Sequence, residues 1–369
     1  MTPNTYDTAA AWRVDELTRD KSWLFPISEK DGAQLARTVK HAFAPGRHLF
    51  DYTRDEFDLG DAMATIAAAA REAYFGRGLA LVQDLPRALL SKDEFKLLTW
   101  AIGLNLGVAR PQGKASQYLS EVCAAGMNYR SAGGRGYNSN AALDFHADGC
   151  DLVALACYNK AKAGGQSMIS SSVTAWQILE AERPDLAEIA RQDFHFSRNQ
   201  EQAPDEGPHY PQPLFDFKDG RLFAKWNRNR VRTAQDLDGV PPLTDAQREC
   251  TDLLDEILRR PDVMYTMWLE PGDMQLMNNH VLLHSRTTFE DFEDDANKRM
   301  LFRLWMATPD SVELPETWGH YFRSTAAGTV RGGIRGHCHD ETCHAFERRQ
   351  AQSLGMPAPA RPAYLDAVA

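Results

Sequence analysis

The stretch LDFHADGCDLVAL, residues 143–155, decides how this chain is read. His146-Ala147-Asp148 stands just ahead of the apolar run Leu152-Val153-Ala154-Leu155, the pattern of a buried strand bounded by turn residues. In extended chain the side chains alternate between faces, so His146 and Asp148 point the same way. A second histidine, His284, lies in PGDMQLMNNHVLLHSRTTF, residues 271–289, where a Pro-Gly-Asp turn opens another apolar strand. Two imidazoles and one carboxylate on one face suit an iron(II) ion and leave its opposite positions open. Behind them, KRMLFRLWM (residues 298–306) carries Arg299 and Arg303 at an even offset, hence on one face of a strand, where an oxoacid can be gripped beside the metal.

Working outward, short β-like runs dominate from Gln117 onward: QYLSEV, DLVALACY, QSMISS, PLFDF, RLFAKW, VMYTMWL, DMQLMN, VLLHS and MLFRLWM, separated by turn formers such as Gly164-Gly165 and Lys218-Asp219-Gly220. Helices are expected over Lys30–Phe43 and Asp55–Tyr74 from their apolar spacing, with a strand-like run after Gly76. Capping boxes at Ser91–Glu94 and Thr244–Gln247 announce two more helices, and a further one is expected over Val173–Glu182. Strict strand–helix alternation is missing. The expected fold is therefore mostly β with flanking helices around a double-stranded β-helix, a jelly-roll or cupin-like core. One domain is expected over 1–369: a helical N-terminal part over 1–106, the jelly-roll core with inserted helices over 107–310, and a C-terminal extension over 311–369. Ser197–Pro213 reads as a long surface loop suited to a lid, and the Ala/Pro-rich tail from Ala351 as loosely ordered.

The 369 residues are 43% hydrophobic and 25% charged, an ordinary composition for a soluble globular protein. A net charge of -10 argues against a nucleic-acid partner but not against a small anionic substrate, which responds to the local field of a cleft. The longest apolar stretch, near Ala62–Ala70, is too short to span a bilayer, so no membrane partner is expected. Six scattered cysteines without an export signal read as reduced thiols, placing the chain in the cytoplasm. A homo-oligomer is compatible with these features.

Over about Gly76 to Trp305 the sequence resembles the taurine dioxygenase/clavaminate synthase-like superfamily of iron(II)- and 2-oxoglutarate-dependent oxygenases. The resemblance is carried by Pro111-Gln112, FHADGCDLVAL, AGGQSMISS (163–171), PGDMQLMNNHVLLHSR and KRMLFRLWM. It implies that His146, Asp148 and His284 ligate iron(II), that Arg299 clamps the far carboxylate of 2-oxoglutarate, and that Ser167 stands where relatives often carry a threonine hydroxyl assisting that carboxylate. It also implies that Arg303 faces an acidic group of the prime substrate. The implied cofactors are iron(II), 2-oxoglutarate as co-substrate, and O2, with succinate and CO2 as co-products. An intact carboxylate at Asp148 implies hydroxylation, desaturation or ring formation rather than halogenation, hydroxylation first. The expected substrate is a small molecule with an acidic group, such as an amino acid or a specialised metabolite.

Other readings stay open beside this one. His280, four residues before His284, is its rival on the same strand face. Arg286 is expected to pair with Glu290 or Asp291, Arg303 serves equally as a salt-bridge partner, and Trp226, Trp268 and Trp305 read as core. Asn278 and Asn279 fit strand-end turns as well as a place near the metal. The loop YRSAGGRGYNSN (129–140) offers Tyr137 and Asn138, with Arg130 and Arg135, as substrate contacts at the entrance. His337, Cys338, His339, Cys343 and His344 are candidate zinc ligands whose spacing fits no common pattern. A cupin-like metalloenzyme that uses no oxoacid, or a non-catalytic metal-stabilised jelly roll, would each leave Arg299 without a grip to make.

Overall fold

The computed structural model describes residues 8–124 and 139–366. Its strands are β1 (Leu24–Pro26), β2 (Leu79–Gln83), β3 (Val108–Arg110), β4 (Leu119–Val122), β5 (Leu152–Asn159), β6 (Ala163–Gly164), β7 (Ser167–Ser171) and β8 (Asp193–Ser197). They continue with β9 (His209–Pro213), β10 (Phe215–Lys218), β11 (Arg221–Ala224), β12 (Tyr265–Met267), β13 (Met274–Asn278), β14 (Leu282–Arg286), β15 (Phe289–Glu290) and β16 (Met300–Ala307). The large sheet runs β1-β2-β13-β5-β16-β3, with β4 also pairing β16; β1 and β2 are parallel and the other pairs antiparallel. A smaller sheet runs β12-β7-β14.

Period-two alternation explains how one sheet serves two jobs. On β16, Phe302, Leu304 and Met306 pack into a core with the N-terminal helices, whereas Leu301, Arg303 and Trp305 face a cavity. On β5, Ala154 and Ala156 join the helical side, and Val153 and Cys157 join a second core shared with Ile169, Met267 and Leu282 of the small sheet. The two sheets therefore pack face to face, with the helices Glu29–Ala42, Ala62–Phe75 and Lys92–Leu106 covering the outer face of the large one. The N-terminal part also contributes β1 and β2 to the large sheet.

Helices hold more of the described residues than strands, so the chain is mixed rather than mostly β. Both expected capping boxes are present: Ser91 Oγ accepts from Glu94 N (3.3 Å) and Thr244 Oγ1 from Gln247 N (3.1 Å). Such caps satisfy helix-end donors and are each worth about 1 kcal/mol. The helix expected over Asp55–Tyr74 begins only at Ala62, because Gly60 adopts a left-handed φ of 54° that no helix can propagate through.

Two further expectations are corrected. Only the ends of the supposed loop 197–213, Ser197 and His209–Pro213, are strand: β8 and β9 pair as an antiparallel ribbon from Asp193↔Pro213 to Ser197↔His209, and residues 198–208 connect them as a loop. Two of its four prolines, Pro211 and Pro213, sit in the two-stranded ribbon, where a missing N–H is tolerated at an unpaired edge. The C-terminal region is packed rather than loose through Met356. The helix Glu341–Ser353 stacks Phe346 on Phe50 (centroids 4.3 Å apart) and pairs Glu347 with buried Arg110 at 2.8 Å. Beyond it, Tyr364 Oη meets His339 Nδ1 at 2.9 Å. Among the described residues no helix is long and apolar enough to cross a membrane.

Candidate metal centre

His146 and His284 are locked together by the backbone. His146 N donates to His284 O and His284 N to His146 O, both at 3.0 Å, so the segment around His146 extends the small sheet beside β14. Directly paired residues on antiparallel strands share a face, and the two imidazole rings lie with centroids 4.4 Å apart. On its other side the same segment pairs with the chain after β11, through His146↔Asn227 and the bond from Ala147 N to Trp226 O (3.0 Å). Asp148, two residues on, turns its carboxylate to the same point: Oδ1 is 3.9 Å from His146 Nε2 and Oδ2 is 3.8 Å from His284 Nε2.

These three are the one group of converging His, Cys, Asp or Glu ligands among the described residues, with ligand atoms within 4.8 Å of one another. A metal held by bonds of about 2.0–2.2 Å spans ligand pairs of up to roughly 4 Å, so the two carboxylate–imidazole separations fit an ion between them. Donor chemistry fits as well. His146 Nδ1 contacts the Asp144 carbonyl at 2.9 Å, which fixes the proton on Nδ1 and leaves the Nε2 lone pair facing the site. Burial lowers the pKa of both histidines, that of His284 to about 3 with the neighbouring His146 adding to the effect, so both rings are neutral donors. Burial would raise Asp148, but the positive charge of Arg303, with the hydrogen bond from Trp305, outweighs it and holds the carboxyl below its usual range. An anionic oxygen flanked by two neutral imidazoles is what a ferrous ion requires.

The surroundings hold Asp148 rigidly. Its backbone N–H donates to Asn279 Oδ1 (3.0 Å), and its Oδ2 accepts from Trp305 Nε1 (2.8 Å). Arg303 Nη1 lies 3.4 Å from both carboxylate oxygens, and Arg303 Nε donates to Gln112 Oε1 (2.8 Å). Gly149 follows the carboxylate because a Cβ there would stand 1.8 Å from the Tyr321 hydroxyl. A cavity of about 150 Å³ opens beside the triad, roughly ten times what a single water needs.

Arg299 lines that cavity, 6% exposed, and its Nη1 has no hydrogen-bond partner among the described residues. Its guanidinium lies 5.1 Å from the Phe289 ring centroid, and Gly165, at a left-handed φ of 80°, lets it approach: a Cβ there would meet Arg299 Nε at 3.1 Å. Burial pushes its pKa down to about 10, which leaves it charged at neutral pH. Ser167 lines the same cavity with its hydroxyl donating to Gln275 Oε1 (3.0 Å).

The cavity thus brings together His146, Asp148, His284, Arg299, Ser167 and Arg303, while Tyr137 and Asn138, with Arg130 and Arg135, lie outside the described residues. His280 is not drawn in: it sits in the turn between β13 and β14, with Nε2 on buried Asp151 (2.9 Å). Arg286 does not pair with Glu290 or Asp291; its Nη2 donates to the carbonyls of Ser139 and Ala141 (2.8 and 2.6 Å), which aims it at the cavity. The 337–344 cluster does not converge, since His339 is taken by Glu347 (3.5 Å) and Tyr364 and the Cys343 thiol points toward the Cys338 carbonyl. Sequence reasoning missed Lys225, Arg198 and Arg230, which line the side of the cavity formed by β8, β11 and the helix Arg228–Ala234. The one signal for Lys225 was its place between Ala224 and Trp226 in an otherwise apolar run.

With this geometry in place, similarity to known proteins can be set beside it. The family model for the taurine catabolism dioxygenase TauD, TfdA family matches residues 43–305. FR-33289 synthase of Streptomyces rubellomurinus is 27% identical over 321 residues, covering 84% of this chain and 94% of that protein. A taurine hydroxylase-like protein of Stachybotrys chartarum is 28% identical over 308 residues, covering 80% of this chain and 77% of that protein. Among solved structures, asparagine oxygenase in complex with Fe(II), 2S,3S-3-hydroxyasparagine and succinate aligns with a TM-score of 0.60 at 16% identity, over 78% of this chain and 94% of that one.

Proposed function

The chain belongs to the TauD, TfdA family of dioxygenases, and on that footing we propose that it hydroxylates a small organic substrate bearing an acidic group, converting 2-oxoglutarate and O2 to succinate and CO2. The reading takes the chain as one oxygenase domain whose two facing sheets form a jelly-roll core. The observation that carries it is the convergence, in one cavity, of a His-Asp-His ligand set with a buried arginine whose Nη1 has no hydrogen-bond partner among the described residues. A metalloenzyme that uses no oxoacid has no need of that arginine.

In this reading His146 Nε2, a carboxylate oxygen of Asp148 and His284 Nε2 hold iron(II). The bound iron and 2-oxoglutarate supply O2 activation and the power to remove hydrogen from an unactivated carbon; the protein supplies binding, orientation and a dry cavity. Asp144 keeps His146 in the ligating tautomer through its carbonyl. Trp305 and Arg303 fix which way the Asp148 carboxylate turns. Arg299 receives the far carboxylate of the oxoacid through a charge-assisted fork that lysine cannot reproduce, and Ser167 adds a hydroxyl once it releases Gln275. Leu155, Leu269, Leu301 and Ile334 give the cavity its apolar wall and keep water from the reacting carbon. The fold it shares with asparagine oxygenase, whose complex holds a hydroxylated amino acid, supports hydroxylation of a small acid.

Anaerobic addition of iron(II) and 2-oxoglutarate should produce a weak visible charge-transfer band, and admitting O2 should turn 2-oxoglutarate into succinate. Asp148→Ala should abolish both. A folded wild-type protein that gives no band, or an Asp148→Ala variant with full succinate yield, would defeat the assignment.

A further inference from the structure

Lys225 is 5% exposed and lines the cavity; its ammonium feels the charge of the Asp148 carboxylate without forming a direct ion pair with it. Its nearest recorded contact is the Tyr321 ring, 4.6 Å to the centroid. Backbone pairing fixes where it faces. His146 pairs with Asn227 and Ala147 N bonds Trp226 O, so the antiparallel register sets Lys225 across from Asp148. Cross-strand partners share a face, and Lys225 accordingly lines the cavity with the ligand triad. The cations beside it are already matched: Arg198 lies 3.4 Å from Glu206, and Arg230 lies 2.7 Å from Glu201. Arg303, the sequence-based candidate for the substrate's acidic group, is engaged by Asp148 and Gln112. A buried ammonium is unfavourable unless it is paired, and a cation–π contact recovers only part of that penalty. Asp148, the carboxylate that acts on it, is committed to the metal in this reading, so a bound anion would supply the missing partner.

We propose that Lys225 receives an oxyanion of the prime substrate (a carboxylate, phosphoryl or sulfonyl group) on the Tyr321 side of the ligand triad, apart from the Arg299 pocket that takes 2-oxoglutarate. This rests on reading the site as a dioxygenase centre. The two anion sites use different walls: Arg299 stands with Gly165 and Phe289, Lys225 with Tyr321, Arg198 and Arg230. Because Lys225 and Asp148 line the same cavity, the anion is held within a side chain's reach of the metal ligands. The substrate class follows: short acids oxidised within a few bonds of their charged group.

The test uses full-length protein loaded anaerobically with iron(II) and saturating 2-oxoglutarate, titrated calorimetrically with acetate, methylphosphonate and methanesulfonate. At least one of the three should bind saturably without displacing 2-oxoglutarate, and the one that binds tightest identifies the group. Lys225→Met should weaken it by roughly 30-fold or more, as loss of a desolvated charge partner does, while Lys225→Arg keeps most of the affinity. Met matches the lysine in bulk and removes an unpaired buried charge, so the variant should fold. Wild-type protein that binds none of the anions would overturn the proposal. So would Lys225→Met binding them unchanged while losing stability, which would make the residue a packing partner of Tyr321. Absence of the charge-transfer band would instead sink the dioxygenase reading; the same titration of metal-free protein then decides for or against Lys225 by the same criterion.

Discussion

Replacing Arg299 by Gln separates a ligand clamp from a structural arginine by the sign of its effect on stability. In the free protein Arg299 is buried, its Nη1 has no hydrogen-bond partner among the described residues, and Arg286, whose own pKa burial pushes down to about 9 with Arg299 adding to the shift, is a like charge nearby. A structural arginine removed from its partners costs stability. Among the described residues the charge has the Phe289 ring and Asp291, whose carboxylate accepts from Arg299 N at 2.8 Å, to offset its desolvation, so Arg299→Gln should leave the melting temperature without 2-oxoglutarate equal or higher. The loss should appear on binding. Truncating one member of a desolvated charge pair costs about 2–5 kcal/mol, a rise in the 2-oxoglutarate dissociation constant of about 30-fold to a few thousandfold. Ligand at 100 times the wild-type Kd stabilises the wild type by about 2.7 kcal/mol, and that gain should fall below about 1 kcal/mol in the variant. Anaerobic melts with iron(II), with and without 2-oxoglutarate, measure both quantities, and the charge-transfer titration gives the affinity independently. A variant several kcal/mol less stable without ligand, yet with an unchanged titration midpoint, would refute the reasoning and move the clamp elsewhere, Arg286 first.

Two further outcomes are expected. Trp305→Phe removes the indole N–H that holds Asp148 Oδ2 at 2.8 Å. Iron(II) affinity should drop about 10- to 100-fold, as when an outer partner of a metal ligand is lost, and unchanged affinity in a folded variant would mean the indole is only packing. Glu347 is buried beside Arg110 (2.8 Å) and accepts from Tyr118 Oη (2.6 Å). Burial raises its pKa, but Arg110 and then His339 and Tyr118 outweigh it and hold the carboxyl below its usual range. A depressed folded-state pKa stabilises above the unfolded value of about 4.3 and loses that contribution as pH falls toward the folded one. Wild type should therefore lose stability below about pH 4 more steeply than Glu347→Gln, which at neutral pH is itself weaker by about 3–5 kcal/mol. Parallel stability curves through the acid range would show that the pair is not what fastens the C-terminal helix.

Local chemistry was legible in the sequence wherever one element decided it. The capping boxes at Ser91 and Thr244 formed because both partners lie within one turn. His146-x-Asp148 and His284 were readable because period two fixes their faces and a ligand set has few compositions. Non-local partners were not readable. Trp305 and Arg303 look alike as strand residues until the fold sets them on Asp148, and the resemblance that favoured His284 over His280 gave no physical reason, which is the hold of Asp151 on His280. Lys225 was invisible for the same reason: only the register between Asn227 and His146, which no local pattern encodes, turns it toward the metal ligands. Ser197–Pro213 misled in the opposite direction, since its prolines and acids describe an isolated ribbon as well as a loop.

The distribution of charge ties these particulars to function. The chain holds 51 acidic and 41 basic side chains, yet its cavity is lined by six lysines and arginines against three carboxylates. Two of those carboxylates, Glu201 and Glu206, are spent on Arg230 and Arg198, which leaves Asp148 facing Arg286, Arg299, Arg303 and Lys225. A divalent metal held by Asp148 would make the excess larger, and a 2-oxoglutarate dianion at Arg299 offsets only part of it. Field lines from such a cleft converge on its mouth whatever the net charge of the exterior, so an acidic protein can still draw in acidic ligands. Of the positive charge that remains, Lys225 carries the part on the Tyr321 side, and a second anion there would offset more of the excess. For this reason the substrate's charged group, more than its carbon skeleton, should decide which molecules the cavity retains.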